Sequence, residues 1–263
     1  MTKDAVLLDL AATDPDQYLV RRGERGEGPG WRPASDLARA SAWPDVARAY
    51  ATDLGSGSLV VGGSCALQGY AWRVAILTVG RWVASGHGVP LAEVDLTVRQ
   101  RAGRTVGLAV GGFAPEAGPA TPEALAADLV AHLTPVVEAS RTVSRLKPKV
   151  AWGNAGSAVA SAWRRVHDAA DPARRADVLV AARACLDAPA WPWDEVPLDW
   201  QVRPGLPLRY RRGTCCLIRL APDHRACTAC SDIDPAEGDA RWDEAEADRA
   251  PAPRMAVGAH VGG

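Results

Sequence analysis

Phenylalanine occurs once in this sequence, methionine twice, and the net charge is only −1. Near-neutrality removes the overall field that draws a protein to nucleic acid or to an anionic membrane, so no polyanionic partner is expected. No long hydrophobic run is free of charge. The most apolar stretch, Leu59 to Val83, contains Arg73 and Arg81 together with Gly62, Gly63, Gly69 and Gly80. An arginine at mid-bilayer costs at least ~2.5 kcal/mol, so this stretch reads as a buried helix of a soluble protein, with no stable membrane insertion. A basic lead followed by a cleavable apolar segment is also missing, because the run AVLLDL is short and broken by Asp9. No export is expected, and a cytoplasmic location follows. Gly55-Ser-Gly57 and Gly86-His-Gly88 lack the third glycine of a dinucleotide fingerprint, so no bound NAD or FAD is expected. The single Phe beside ten Trp and the excess of Arg over Lys look like coding bias and carry no function.

What is present is ordinary globular material: 263 residues, 48% hydrophobic and 23% charged, enough for one large domain or two modest ones. The run RRGERGEGPGWRP reads as a mobile loop that closes residues 1–33. Leu37, Ala40, Trp43, Val46 and Tyr50 recur at helical spacing, with Pro44 marking a first turn. EVDLTVR and TVGLAVG alternate with period two across RAGR, which predicts a β-hairpin with one polar face. A helix is expected from Pro122, capped by Thr121, with Leu125, Leu129 and Leu133 in its stripe and Pro135 as a kink.

Further helices are expected from Trp152 to His167 and after Asp171-Pro172, with Asn154 as a cap. Arg164-Arg165 and Arg174-Arg175 read as exposed helix faces, and Cys65 and Cys185 as plain core. Residues 188–208, with five prolines, predict a stiff loop, and the acidic stretch after Cys230 a largely disordered tail.

The chemistry lies between those two. RRGTCCLIRLAPDHRACTAC puts four of the six cysteines, Cys215, Cys216, Cys227 and Cys230, within sixteen residues. In a reducing compartment such clustering reads as metal ligation before it reads as disulfides. Cys227 and Cys230 can chelate one metal from a tight turn. Adjacent Cys215 and Cys216 point to opposite faces of an extended strand, so the backbone there must bend, helped by Gly213 and Pro222-Asp223. Four thiolates suit an iron–sulfur cluster. Structural zinc, which prefers two chelating turns, and a redox pair on Cys227 and Cys230 remain alternatives. His224, on a polar turn, reads as solvated.

The spacing C-C-x₁₀-C-x₂-C near the end of the chain resembles the FhuF-type ferric-siderophore reductases; KVAWGNAGSAVASAWR (149–164) and RYRRGTCCLIRL (209–220) are also similar to segments of that family. Ser231 stands where familiar members often have Pro. The resemblance implies a [2Fe–2S] cluster on Cys215, Cys216, Cys227 and Cys230 and one-electron reduction of a ferric siderophore, hydroxamates favoured. It also implies an external donor: a ferredoxin, a reduced flavin or a nicotinamide-dependent reductase. Arg211 and Arg212 are candidates to steer an anionic chelate or to bond cluster sulfurs, and Trp191, Trp193 and Trp200 to wall its apolar backbone. Rival readings are an iron–sulfur sensor or carrier, and a siderophore-metabolism protein with structural zinc. The expected fold is α+β, mostly helical with a small antiparallel sheet. A mainly helical region (1–208) precedes a cluster-binding segment (209–231) and the tail (232–263).

Overall fold

The structure, a computed structural model, describes residues 19–22, 26–111, 119–193, 198–203 and 206–248. Its helices are α1 (Trp43–Asp53), α2 (Leu59–Ser85), α3 (Pro122–Ser144), α4 (Pro148–Ala169), α5 (Arg175–Leu186) and α6 (Pro235–Ala247). The chain is mostly helical with a small, mainly antiparallel sheet, as an α+β reading requires.

The axis is α2. Its first half is buried almost all round, and it packs against α1, α3, α4 and the sheet. Ser58 caps it by accepting from the Val61 amide, and Gly86 ends it in the left-handed region at φ 71°. None of the described helices is long and apolar enough to cross a membrane. Thr121 caps α3 as expected, and Pro135 lies inside that helix, which continues to Ser144. Pro44 opens α1.

The expected hairpin is β3 (Asp95–Arg101) and β4 (Arg104–Gly111), joined through Ala102 and Gly103, both at positive φ. The turn also needs space at Gly103: a Cβ there would lie 2.4 Å from the Val46 carbonyl oxygen.

Four expectations need correction. The segment expected to be a mobile loop contributes two strands: β1 (Leu19–Arg22) runs parallel to β4, and β2 (Trp31–Pro33) pairs antiparallel with β3. The free edges of the hairpin satisfy these short segments, which have no pattern of their own; residues 1–18 and 23–25 lie outside the described residues. Within the proline-rich stretch, Leu198–Gln201 forms β5, paired with β6 (Arg209–Arg212).

The acidic tail is not disordered over its first half. Asp234 caps α6 through the Ala236 amide, and Trp242, 5% exposed, anchors it; residues 249–263 lie outside the described residues. Finally, Arg164 is buried rather than exposed. Its Nε donates to the Leu208 carbonyl at 2.7 Å and its guanidinium lies 4.4 Å from the Trp242 ring centroid.

Candidate metal centre

The β5–β6 hairpin delivers the cysteines. Beyond Arg212 the chain passes through Gly213 and Thr214 into Cys215-Cys216 and bends at once, with Leu217 left-handed at φ 69° and a 3-10 turn at Ile218–Leu220. This is the bend expected of the backbone at Cys215-Cys216. A second reversal places Asp223 at φ 59° and leaves His224 exposed. Cys227 and Cys230 sit on a tight turn closed by the Cys230 amide on the Cys227 carbonyl at 3.1 Å. The Arg212 amide then bonds the Ala229 carbonyl at 2.9 Å, joining the two ends of the loop.

The four sulfurs form a connected series. Cys230 Sγ lies 3.9 Å from Cys215 Sγ, and the thiols of Cys215 and Cys216, and of Cys216 and Cys227, are close enough to shift one another's titration. Backbone amides point at two of the sulfurs, from Leu217 to Cys215 at 3.3 Å and from Asp232 to Cys230 at 3.4 Å. The hydrogen bond with Cys216 and burial push the Cys215 thiol up, and burial does the same to Cys230. The Cys227 thiol is held below its ordinary value, first by the Cys216 hydrogen bond and further by the Arg212 charge. Among the described residues no three His, Cys, Asp or Glu side chains surround one point closely enough to hold a metal ion as they stand.

Arg212 is the charged group at the centre of the site. It is 3% exposed. One Nη donates to Asn154 Oδ1 and the other to Gln68 Oε1 at 3.0 Å, both neutral partners. Asn154 Nδ2 donates to Ser64 Oγ at 2.7 Å, and Ser64 Oγ to the Cys216 carbonyl at 2.7 Å. The cysteine loop is thereby tied to α2 and α4 through a buried polar network. A buried guanidinium held by neutral amides favours anionic charge nearby, and its charge helps to hold the Cys227 thiol low. Thus Asn154 is no helix cap.

Arg211 faces elsewhere. It donates to the Ser231 carbonyl at 3.4 Å and to that of Ile233, bracing the exit turn. Arg241 of α6 does the same at the Ala226 carbonyl, just before Cys227. Trp191 is 4% exposed and stacks on Trp193 at 4.5 Å, with Trp152 edge-on at 6.3 Å; Trp200 meets Tyr210 edge-on. These rings pack the proline-rich stretch.

A cleft of about 380 Å³ opens on Cys216 and Cys227, and its wall includes Gln68, Trp72, Arg73 and Tyr50. Arg211, Arg212, Trp191 and Trp193 do not line it. Cys65 does, and it is buried, its Sγ 4.0 Å from the Cys216 carbonyl oxygen; burial pushes its thiol up to about 12. Cys185 is core, as expected. Gln68, Trp72 and Ser64 escaped sequence reading because α2 looked uniformly apolar; the polar pair Ser64 and Gln68, one turn apart, was the available signal. In comparisons with known proteins, no family model matches this chain, and neither does any curated protein.

Proposed function

We propose that the chain is a ferric-siderophore reductase of the FhuF type, carrying a [2Fe–2S] cluster on Cys215, Cys216, Cys227 and Cys230. The observation that carries this reading is four cysteine sulfurs in series within one loop, beside a buried arginine with neutral partners. When bound, such a cluster supplies a one-electron couple, matched to the conversion of one ferric ion to ferrous.

The chain's own residues do the rest. Arg212 offsets thiolate charge from behind the cleft that opens on Cys216 and Cys227. Leu217 and Asp232 aim amides at the sulfurs, and Arg211 and Arg241 hold the loop ends. The ferric ion gains one electron and no ligand bond is cleaved covalently; the hard anionic oxygens hold the less charged ion more weakly, and it leaves. The electron comes from an external donor, a ferredoxin, a reduced flavin or a nicotinamide-dependent reductase.

The test is spectroscopic and then kinetic. Freshly purified protein is expected to be red-brown and, after reduction, to give an EPR signal that is lost in Cys227→Ser. Anaerobic mixing of the reduced protein with ferric chelates should restore the oxidised spectrum and release Fe(II). Colourless protein holding zinc, or reduced protein inert to every ferric chelate, would reject the reading.

A further inference from the structure

A second cavity, of about 530 Å³, opens between α3, the start of β3 and the 3-10 turn at Ala34–Ala38. It shares no wall residue with the cleft over Cys216 and Cys227. Both openings touch α2, but Gln68 of the cleft and Tyr70 of this cavity are two positions apart, about 200° round the helix. They therefore lie on opposite sides of it. The size of the cavity suits a small organic ligand, and Leu91, Leu96 and Val136 give it an apolar wall.

Polar groups join that wall from α2 and α3. His132 Nε2 lies 2.6 Å from Tyr70 Oη, and both residues line the cavity. Tyr70 is 1% exposed, so its hydroxyl needs the acceptor that the ring nitrogen supplies; the phenol donates, and the imidazole carries its own proton on Nδ1. Burial keeps that ring neutral, its pKa lowered to about 4. His132 thus offers the cavity an uncharged N–H donor. Asp128, one turn earlier on the same helix and exposed, adds a carboxylate at the rim. Partial burial raises its pKa, and so does the neighbouring Glu93, a second negative charge. Among the described residues no lysine or arginine lines the cavity. A donor inside, an acid at the rim and hydrocarbon between them call for a ligand with an oxygen acceptor at one end and a cation at the other.

We propose that this cavity binds a small organic amine, protonated at one end and carrying an oxygen acceptor at the far end of an apolar, ring-sized frame. Asp128 takes the ammonium, His132 Nδ1 donates to the oxygen, and Leu91, Leu96 and Val136 pack the frame. Tyr70 is a positioning residue, because it fixes the tautomer of the imidazole from α2. The site does not depend on the proposed reduction.

Tyramine, tyrosol and hydroxyphenylpropionate probe it with one frame and a positive, a neutral and a negative end. Equilibrium dialysis of the as-purified protein at neutral pH is expected to show tyramine binding most tightly and hydroxyphenylpropionate least. Phenethylamine, which lacks the phenol oxygen, should bind more weakly than tyramine. Asp128→Asn should weaken tyramine roughly three- to tenfold and leave tyrosol unchanged, with Asp128→Glu restoring part of the loss. Ala131 is exposed on the cavity wall. Ala131→Trp should therefore fill the opening and abolish binding of all three probes while far-ultraviolet circular dichroism stays the same. Equal binding of the three charge forms, no saturable binding of tyramine, or tyramine binding that survives Ala131→Trp would overturn the proposal.

Discussion

At the scale of single residues, Arg212 and His132 make opposite use of burial. Arg212 is buried with its guanidinium held by the side-chain carbonyls of Asn154 and Gln68. Arg212→Gln removes a cation that favours the more negative, reduced state of the site, so the reduction potential should fall, by roughly 60 mV for a tenfold change in a one-electron equilibrium. An EPR-monitored redox titration checks this; an unchanged or higher potential would contradict it. His132, whose Nε2 lies 2.6 Å from Tyr70 Oη, is instead held neutral, burial lowering its pKa from 6.5 to about 4. The unfolded chain thus binds a proton that the folded chain refuses. Stability should be full above about pH 6.5 and fall by up to about 3 kcal/mol as the pH drops to 4. Urea unfolding across that range should show the loss, and His132→Gln should flatten it.

At the scale of elements, α4 comes very close to the cysteine loop. A Cβ on Gly153 would lie 1.9 Å from Thr214 Oγ1, so the helix touches the residue before Cys215 only because position 153 has no side chain. Gly153→Ala should push the loop outward at about 1–3 kcal/mol and reduce iron per chain, measured by metal analysis with circular dichroism as the control for folding. The other brace is α6. Arg209, 2% exposed, bonds Glu246 Oε1 at 2.8 Å and Asp243 Oδ1 at 2.6 Å, and Trp242 fits between Arg164 and Tyr210. Trp242→Ala should cost about 3–5 kcal/mol and release α6, visible as faster proteolysis beyond Ser231.

These two braces mark where sequence reading succeeded and where it stopped. α1 to α5 and the β3–β4 hairpin were legible because their apolar periods are set by burial on one face. The strands β1, β2, β5 and β6 are three or four residues long and owe their form to a neighbouring strand, which no local pattern records. α6 was hidden by its acidity: one tryptophan and two ion pairs to a buried arginine hold it, rather than an apolar stripe. At the centre, the cysteine spacing was legible, and so was the need for a bend. The cleft was not, because it joins residues more than a hundred positions apart.

At the scale of the molecule, one core cluster runs from Leu37 through α2, α3, α4 and α5 to Trp242, and Cys215, Cys216, Cys227 and Cys230 are not members of it. The helical body should therefore stand without metal. Treating the protein with an iron chelator under reducing conditions should leave far-ultraviolet circular dichroism nearly unchanged while opening residues 213–231 to protease. Complete loss of helicity would show that the metal holds the whole fold. The Ser64 bond to the Cys216 carbonyl adds a consequence in time. The cysteine loop leaves the ribosome after α1 to α5 and rests on two of them, so α2 and α4 can form the seat before Cys215 is made. On the proposed function, cofactor loading is then a finishing step performed on an already folded body, and a cell short of iron would accumulate a folded, fillable protein rather than a misfolded one.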